Sequence, residues 1–278
     1  MNDLMRSSKA RAPQRLPVLK TPEEIAIMRE AGRITARAHQ TMREALRPGI
    51  TTLELDKIAE AVIRDHGAVP CFLGYAPGNH RPYPATINAS INDELVHGVP
   101  SAERVVKEGD IISLDTACSY QGYVGDAAFT YAVGEVKPAA RRLIQACEGA
   151  LQAAIAASVA GKRISDVARA TERYAVKLGY SVAREYTGHG VGRQMHEPPQ
   201  VPNWWPSKQR AAVQGWEDYE LQVGMTYAIE PMLIAGRSEL YEDEADGWTV
   251  RTRDRSLCAH FEHTIAITPE GPVILTLL

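Results

Sequence analysis

Two histidines in a glycine-rich stretch are the first residues of this sequence that could do chemistry. The segment TGHGVGRQMHEPP, residues 187–199, places His189 and His196 seven positions apart, among glycines and ahead of two prolines. That spacing excludes the helical zinc motif, in which two histidines four positions apart share one helix face. The segment is therefore either a glycine-rich turn with incidental histidines or a sharply bent backbone that aims a histidine at a ligand.

Four acidic residues stand in segments that are otherwise apolar and β-prone. Each could simply face solvent, as most charged side chains do. A carboxylate in a half-buried strand, however, loses hydration and needs a positive partner. The four are Asp115 in IISLD, Asp126 in GYVGDAAFTYAV, Glu230 in MTYAIEP and Glu262 in CAHFEHTIAIT.

Taken together, these carboxylates predict a centre for two divalent metal ions. The positive charge of two such ions would balance the four carboxylates, and His189 would add a nitrogen ligand. One imidazole with several carboxylates suits manganese, iron, cobalt or catalytic zinc, and differs from the thiolate-rich sites of structural zinc. The chemistry we expect is hydrolysis by a metal-bound hydroxide.

The elements that must position these groups follow a repeated pattern. Capping motifs at residues 21–24 and 51–54 predict two helices before Gly67, and a similar helix pair is predicted from Pro138 to Gly179. Strand-like segments follow each pair, so the sequence predicts an α/β (α+β) fold built from two related halves. The glycines that bound the second helix of each pair are 18 residues apart, namely Gly49 and Gly67, then Gly161 and Gly179.

The two aspartates are predicted to lie across a hairpin. Asp115 and Asp126 are 11 positions apart, and the segment SYQG between them, residues 119–122, favours a tight turn. The hairpin would bring both carboxylates to neighbouring strands.

Composition narrows the class of protein. The chain has 278 residues, of which 45% are hydrophobic and 23% charged, with a formal net charge of −3. These values are typical of a folded globular chain. The small negative net charge gives no overall electrostatic attraction for nucleic acid or anionic lipid. The 4 cysteines lie far apart and predict reduced thiols. With no membrane-spanning run and no signal core, we expect a cytoplasmic protein.

Residues 1–20 are predicted to form a flexible basic arm, and residues 21–278 a single catalytic domain. The arm carries 5 basic residues and 1 acidic residue. An organelle-targeting peptide would share this composition, but the segment is short and contains Pro13 and Pro17. The positive charge of the arm suggests the ribosome or RNA as a partner.

Five segments, in their order along the chain, resemble the successive motifs of the type I methionine aminopeptidases. The resemblance covers about residues 21–278 and implies a pita-bread fold with internal pseudo-two-fold symmetry. The segments are INDELVHGVP, SLDTACSYQGYVGDAAF, TGHGVGRQMHEPP, YAIEPM and FEHTIAIT. The two-metal site that the resemblance implies consists of the same residues as the charge argument: Asp115, Asp126, His189, Glu230 and Glu262.

The resemblance also implies an activity, namely removal of the initiator methionine from nascent polypeptides when the second residue is small. A hydroxide bridging two ions of cobalt, manganese, iron or zinc would attack the peptide bond. Glu230 would shuttle a proton, while His97 and His196 would contact the substrate. We expect a monomer. The implied methionine pocket consists of Phe72, Tyr75, Tyr83, Met195 and Trp248.

Several positions depart from the commoner pattern of that family. Phe72 stands where a small cysteine is frequent, Asn88 replaces another cysteine, and Met195 stands where an aromatic residue is common. Cys258 occupies a position that is often serine, near a monovalent-cation site, so a monovalent cation is a further expectation. The outline of the pocket is therefore less determined than the metal site.

Two loops, residues 76–84 and 203–220, look longer than is usual in the family. Trp204 and Trp205 in the second loop are either a loop anchor or a partner surface, and we expect the anchor.

Three other classes of protein fit the sequence less well. An X-Pro aminopeptidase or dipeptidase would share the ligands but usually carries an additional N-terminal domain, for which the first 20 residues leave no room. A type II enzyme would carry a long helical insertion, yet Glu230 lies only 34 positions after His196 and 32 before Glu262. A non-catalytic protein of this fold that binds ribosomes or RNA would tend to lack ligands, and the predicted ligands are all present.

Overall fold

The helices begin and end close to the predicted capping signals. In the computed structural model, which describes residues 16–78, 80–207 and 216–278, Thr21 and Thr51 each form a capping box. No helix within these residues is long and apolar enough to cross a membrane. The helices are α1 (Pro22–Ala45), α2 (Thr52–Asp65), α3 (Pro138–Ala157) and α4 (Ile164–Lys177).

The strands of the described residues form three antiparallel sheets. They are β1 (Val69–Pro70), β2 (Ile87–Ile91), β3 (Glu94–Val96), β4 (Ile111–Tyr120), β5 (Tyr123–Ala132), β6 (Ser181–Val182), β7 (Thr187–Gly190), β8 (Glu197–Pro202), β9 (Thr226–Ile229), β10 (Met232–Ile234), β11 (Leu240–Glu242), β12 (Val250–Thr252), β13 (Cys258–His260), β14 (Glu262–Thr268) and β15 (Gly271–Ile274). The largest sheet has the order β1-β4-β5-β14-β9-β7-β8, with β2 also paired to β4 and β15 to β14. The two smaller sheets have the orders β13-β10-β6 and β11-β12-β3.

The predicted hairpin is formed by β4 and β5, and it places the two aspartates on one face of the sheet. Asp115 pairs with Ala128, and Asp126 pairs with Ala117. Directly opposed residues point to the same face and faces alternate along a strand, so both carboxylates share a face. On the other side of β5, Glu262 also pairs with Ala128. One alanine therefore lies between two acidic neighbours.

A close approach of α1 to the sheet supports this arrangement. A Cβ atom on Gly125 would lie 2.5 Å from the backbone nitrogen of Gly32, and one on Gly32 would lie 2.2 Å from the carbonyl oxygen of Leu275. A side chain at Gly125 would push α1 away from β5, and one at Gly32 would push it away from Leu275, which follows β15. The helix is thus seated directly on the strand that carries Asp126.

Each helix pair packs into its own buried cluster. Met42 of α1 and Leu55 of α2 lie in one cluster, whereas Leu143 of α3 and Val167 of α4 lie in another. The two pairs agree with the prediction of two related halves. Burial of these apolar side chains is the main favourable term in folding.

Three predicted segments fall partly outside the described residues. Residues 1–15 of the predicted arm, residue 79 of the first long loop and residues 208–215 of the second long loop are not described. Of the arm residues that are described, Lys20 is buried within the fold, although the sequence placed it in the arm.

Candidate metal centre

Four of the five predicted ligands, all except Glu262, line one cavity of about 320 Å³. Asp126, His189 and Glu262 each offer a ligand atom, and these atoms lie within 4.8 Å of one another. Glu230 follows β9, and its Oε1 lies 3.6 Å from the Nε2 atom of His189. Asp115 lines the same cavity from β4. Strands far apart in sequence thus converge on one acidic site.

Burial opposes the negative charge of these carboxyl groups. It raises the pKa of Asp126 to about 7. The pKa of Asp115 is also raised by burial first and by the charge of Asp126 second, and the pKa values of Glu230 and Glu262 are raised in the same way. No lysine or arginine is among the described residues that line the cavity. The group therefore lacks a side-chain cation to balance it.

His189 is held as a neutral imidazole, whose Nε2 lone pair is available to a metal ion. Burial, with a smaller contribution from His196, lowers the pKa of His189 to about 3. Its Nδ1–H donates to the carbonyl oxygen of Gly190 at 3.1 Å, which leaves the Nε2 lone pair facing the carboxylates. A backbone hydrogen bond of this kind sets the tautomer and orientation of a metal-binding imidazole.

The unpartnered atoms of the site test whether metal ions fit it. Asp115 Oδ1, Asp126 Oδ1 and Glu262 Oε1 are buried and have no hydrogen-bond partner among the described residues. Buried polar atoms are normally paired, so these oxygens are available to a ligand that carries positive charge. Carboxylate oxygens with one imidazole nitrogen are a donor set for divalent transition metals. The residues present therefore fit such ions.

His260 is a site residue that the sequence analysis missed. It is buried, and its Nε2 lies 3.7 Å from Glu230 Oε2 and 3.9 Å from Glu262 Oε2. Burial lowers its pKa to about 3, so the imidazole is neutral. If residues 258–268 are taken as one strand, alternation predicts that His260 shares a face with Glu262, whereas in the structure the two residues lie in β13 and β14 of different sheets.

Asn88 is a second outer partner of the ligands. Its Nδ2 donates to Asp115 Oδ2 at 2.7 Å, and the two residues pair directly across β2 and β4. The sequence analysis noted Asn88 only as a departure from the family pattern. The structure places it among the residues lining the cavity.

The residues predicted to contact substrate line the same cavity as the metal ligands. The imidazole of His196 forms a 2.9 Å hydrogen bond through Nδ1 with the hydroxyl of Tyr75. His97 follows β3 with a φ of 60°, a conformation that non-glycine residues adopt at a cost and that is concentrated at functional sites. The cavity-lining members of the predicted set are Phe72, Tyr75, Tyr83, His97, Met195, His196 and Trp248.

The long loops add aromatic contacts. His80 of the first loop packs on Trp248, with ring centroids 5.1 Å apart. Trp204 is buried, its ring lies 5.2 Å from that of Trp216, and its Nε1–H donates to the carbonyl oxygen of Arg184. The described ends of the second loop are therefore anchored on the fold, as we expected. Cys258 is buried, and its role near a monovalent cation stays a prediction.

The glycines around His189 lie against neighbouring strands. A Cβ on Gly188 would lie 2.4 Å from the carbonyl oxygen of Ala228, and one on Gly190 would lie 2.2 Å from that of Pro198. These glycines make room for the neighbouring strands. That they also let the backbone approach metal ions stays a prediction.

Comparison with known proteins agrees with this geometry. The model of metallopeptidase family M24 matches residues 26–269. A methionine aminopeptidase of Aquifex aeolicus is 44% identical over 259 residues, which cover 93% of this chain and 98% of that protein. The chain belongs to the type I methionine aminopeptidases.

A solved structure of methionine aminopeptidase from Thermotoga maritima superposes on this structure with a TM-score of 0.88 at 39% identity. The match covers 95% of this chain and 100% of the Thermotoga chain. The family is one of metal-dependent hydrolases, and the pita-bread fold predicted from the sequence is confirmed. Prolidase from Pyrococcus furiosus shares that fold at 22% identity and a TM-score of 0.73. The match covers 94% of this chain and 66% of the prolidase. That likeness extends to the fold alone.

Proposed function

We propose that this chain, through a single catalytic domain from about residue 21 to residue 278, removes the initiator methionine from nascent polypeptides at a centre for two divalent metal ions. The observation that carries the proposal is the convergence of Asp126, His189 and Glu262, whose ligand atoms lie within 4.8 Å of one another in a methionine aminopeptidase chain. Asp115 and Glu230 would complete the ligand set. Membership in the metallopeptidase family supports divalent ions as the cofactor.

Bound divalent ions would lower the pKa of a coordinated water from 15.7 to roughly 7 and so supply a nucleophile at neutral pH. Glu230 is the ligand best placed to move a proton from that nucleophile to the leaving amine. Its side chain is 13% exposed and lines the cavity, whereas that of Glu262 is 3% exposed and is not among the lining residues. A positioned acid or base of this kind contributes roughly 10² to 10⁴ in rate.

His196 and His97 are the proposed hydrogen-bond donors to the scissile peptide. If the Tyr75 hydroxyl donates to Nδ1 of His196, the proton of that imidazole is on Nε2 and can be donated to the substrate carbonyl oxygen. Burial lowers the pKa of His97 to about 4, which keeps this imidazole neutral as well. Such donors stabilise the charge that develops on the carbonyl oxygen during attack.

An aromatic wall is the proposed pocket for the methionine side chain. Tyr83 packs edge-to-face on Trp248 at 5.1 Å and on Phe72 at 6.5 Å between ring centroids. Met195 adds a flexible thioether to this wall. Aromatic faces and edges suit the polarisable sulfur of a substrate methionine. The five pocket residues thus favour one long unbranched side chain.

Several further properties belong to the proposal. We expect the metal ions to be cobalt, manganese, iron or zinc, and a monovalent cation near Cys258. We expect a monomer located in the cytoplasm, where nascent chains emerge. Contact with the ribosome through the basic residues 1–20 would bring the enzyme to its substrates.

A peptide panel with chelator and metal reconstitution tests the activity. Peptides beginning Met-Ala or Met-Gly should lose methionine, whereas Met-Asn, Met-Lys and Ala-Ala peptides should not, because a long second side chain would clash with a shallow second pocket. Hydrolysis of an Ala-Pro dipeptide, added to the panel, in place of the Met-Ala and Met-Gly peptides would support a prolidase. No hydrolysis of any peptide by metal-loaded protein would contradict the proposal.

The chain itself is an informative substrate. Its second residue is Asn2, whose side chain is larger than those that we expect the enzyme to accept. Intact-mass measurement of untagged protein should therefore find Met1 retained, and the Asn2→Ala variant should lose it. A main species lacking Met1 in the unsubstituted chain would show that the size rule is wrong.

A further inference from the structure

A buried ion pair joins the residues before α1 to the loop that carries His196. Lys20 Nζ lies 2.6 Å from Glu197 Oε2, and the two side chains are 3% and 11% exposed. The backbone nitrogen of Lys20 donates to the carbonyl oxygen of Gly224 at 2.7 Å, so the lysine is fixed at both ends. Burying such a pair is costly, and it is weak evidence for stability by itself. Its position therefore calls for another explanation.

The loop from residue 192 to residue 197 is built around this ion pair. The second carboxylate oxygen of Glu197 accepts a hydrogen bond from the backbone nitrogen of Gln194 at 3.0 Å. A Cβ on Gly192 would lie 2.5 Å from Cε of Lys20 and 2.7 Å from Oε1 of Glu197. A side chain at Gly192 would therefore displace the ends of the Lys20 and Glu197 side chains. The lysine side chain thus shapes the turn.

His196 directly precedes Glu197 and depends on this turn for its position. The residue is exposed, so burial of its own side chain does not hold it. Its imidazole contacts Tyr75 through a hydrogen bond and lies 4.1 Å from the ring of His189 between centroids. A shift of the backbone at Glu197 would move the imidazole away from both partners.

We propose that Lys20 is a positioning residue for His196, acting through the ion pair with Glu197 that holds the loop from residue 192 to residue 197. The inference rests on the proposed role of His196 as a substrate contact. It connects the residues just before α1 to the reaction centre, because Lys20 would orient a substrate-binding histidine. A misplacement of about 1 Å can cost about 10²-fold in rate.

The test compares full-length, metal-loaded variants well below their melting temperatures. The variant Lys20→Met/Glu197→Gln removes both charges at similar volume and leaves no unpaired buried charge, unlike Lys20→Met alone. We expect kcat for a Met-Ala peptide to fall about ten- to a hundredfold, while metal content and affinity stay at the level of the unsubstituted enzyme. Lys20→Arg, which keeps the charge, should retain more of kcat than Lys20→Met.

The decisive measurement repeats the double substitution in a His196→Ala background. If Lys20 acts through His196, the loss of kcat there should shrink to within about twofold. An equal loss in both backgrounds, or full kcat in the Lys20→Met/Glu197→Gln enzyme, would overturn the inference. If His196→Ala itself keeps full kcat, the proposed role of His196 fails and the inference fails with it.

A matched control is available on the neighbouring helix. Arg33 and Glu30 of α1 form an ion pair of the same length, 2.6 Å, with both side chains about half exposed. The variant Arg33→Met/Glu30→Gln should leave kcat and KM unchanged. A loss as large as that of the Lys20 pair would show that removing any ion pair near α1 harms the enzyme, and would overturn the assignment.

Discussion

Asn88 and Asp115 face each other across neighbouring strands and are joined by a 2.7 Å hydrogen bond from Nδ2 to Oδ2. This bond occupies one oxygen of Asp115, while the other, Oδ1, is buried without a partner in the described chain. An outer partner of this type orients a metal ligand and stabilises its charge.

We therefore expect Asn88→Ala to weaken binding of divalent metal about 10- to 100-fold, since the carboxylate loses its orienting donor. Isothermal titration of the metal-free protein with manganese or cobalt measures the change. Thr116→Val is the control, because it removes a buried hydrogen bond from the same strand, to the carbonyl oxygen of Thr86, without touching a ligand. Unchanged affinity in Asn88→Ala would mean that the bond has no part in metal binding.

Removal of metal should abolish activity and lower thermal stability. The carboxyl groups of Asp115, Asp126, Glu230 and Glu262 are then left buried without a cation, and burial opposes their charge. At metal concentrations about 100 times the dissociation constant, binding adds about 2.7 kcal/mol to the free energy of unfolding. Calorimetric melting with chelator and after return of manganese, cobalt or iron measures this. Full activity of metal-free protein would contradict the metal centre.

Glu230 and His196 should differ in what their substitution removes. Glu230→Gln is expected to lower kcat by roughly 10² to 10⁴, because the proton carrier is lost, and to weaken metal binding through the lost charge. His196→Ala should lower kcat while leaving the metal content unchanged. Metal analysis alongside steady-state kinetics distinguishes the two effects. Loss of metal from His196→Ala would reverse the assignment of His189 as ligand and His196 as substrate contact.

His39 should make the protein sensitive to acid. It is buried in α1, donates from Nε2 to the carbonyl oxygen of Ala127 at 2.8 Å, and has its pKa lowered to about 4 by burial. Between the ordinary value of about 6.5 and this value, the unfolded chain binds a proton that the folded chain does not. The stability present above about pH 6.5 is therefore lost as the pH falls toward 4.

The variant His39→Gln keeps a hydrogen-bond donor but does not titrate. Its free energy of unfolding should fall less steeply with acid than that of the unsubstituted protein, by up to about 1.4 kcal/mol per pH unit. Urea unfolding at pH 7.5, 6 and 5 with chelator present measures both slopes. Equal slopes would show that folding does not lower the pKa of this imidazole.

The sequence by itself determined the local elements and the types of ligand. Thr21 and Thr51 predict helix starts because a capping box is complete within four residues. The spacing of Asp115 and Asp126 predicts a hairpin because a tight turn between two β-prone segments makes them antiparallel neighbours. The convergence of the acidic residues could be predicted because several carboxylates in β-prone sequence need a common cation, whatever the order of the strands.

Only the tertiary structure decided which groups support those ligands. Lys20 and Glu197 are 177 positions apart, and nothing local to the segment around either residue predicts the other. Asn88 meets Asp115 through the register of β2 on β4, and His260 reaches Glu230 because its strand, β13, pairs with β10, which begins just after Glu230. Distances of this kind depend on strand order, register and close helix packing, which are properties of the whole sheet. Local patterns of residue type carry no such information, so these partners emerge only when the chain is folded.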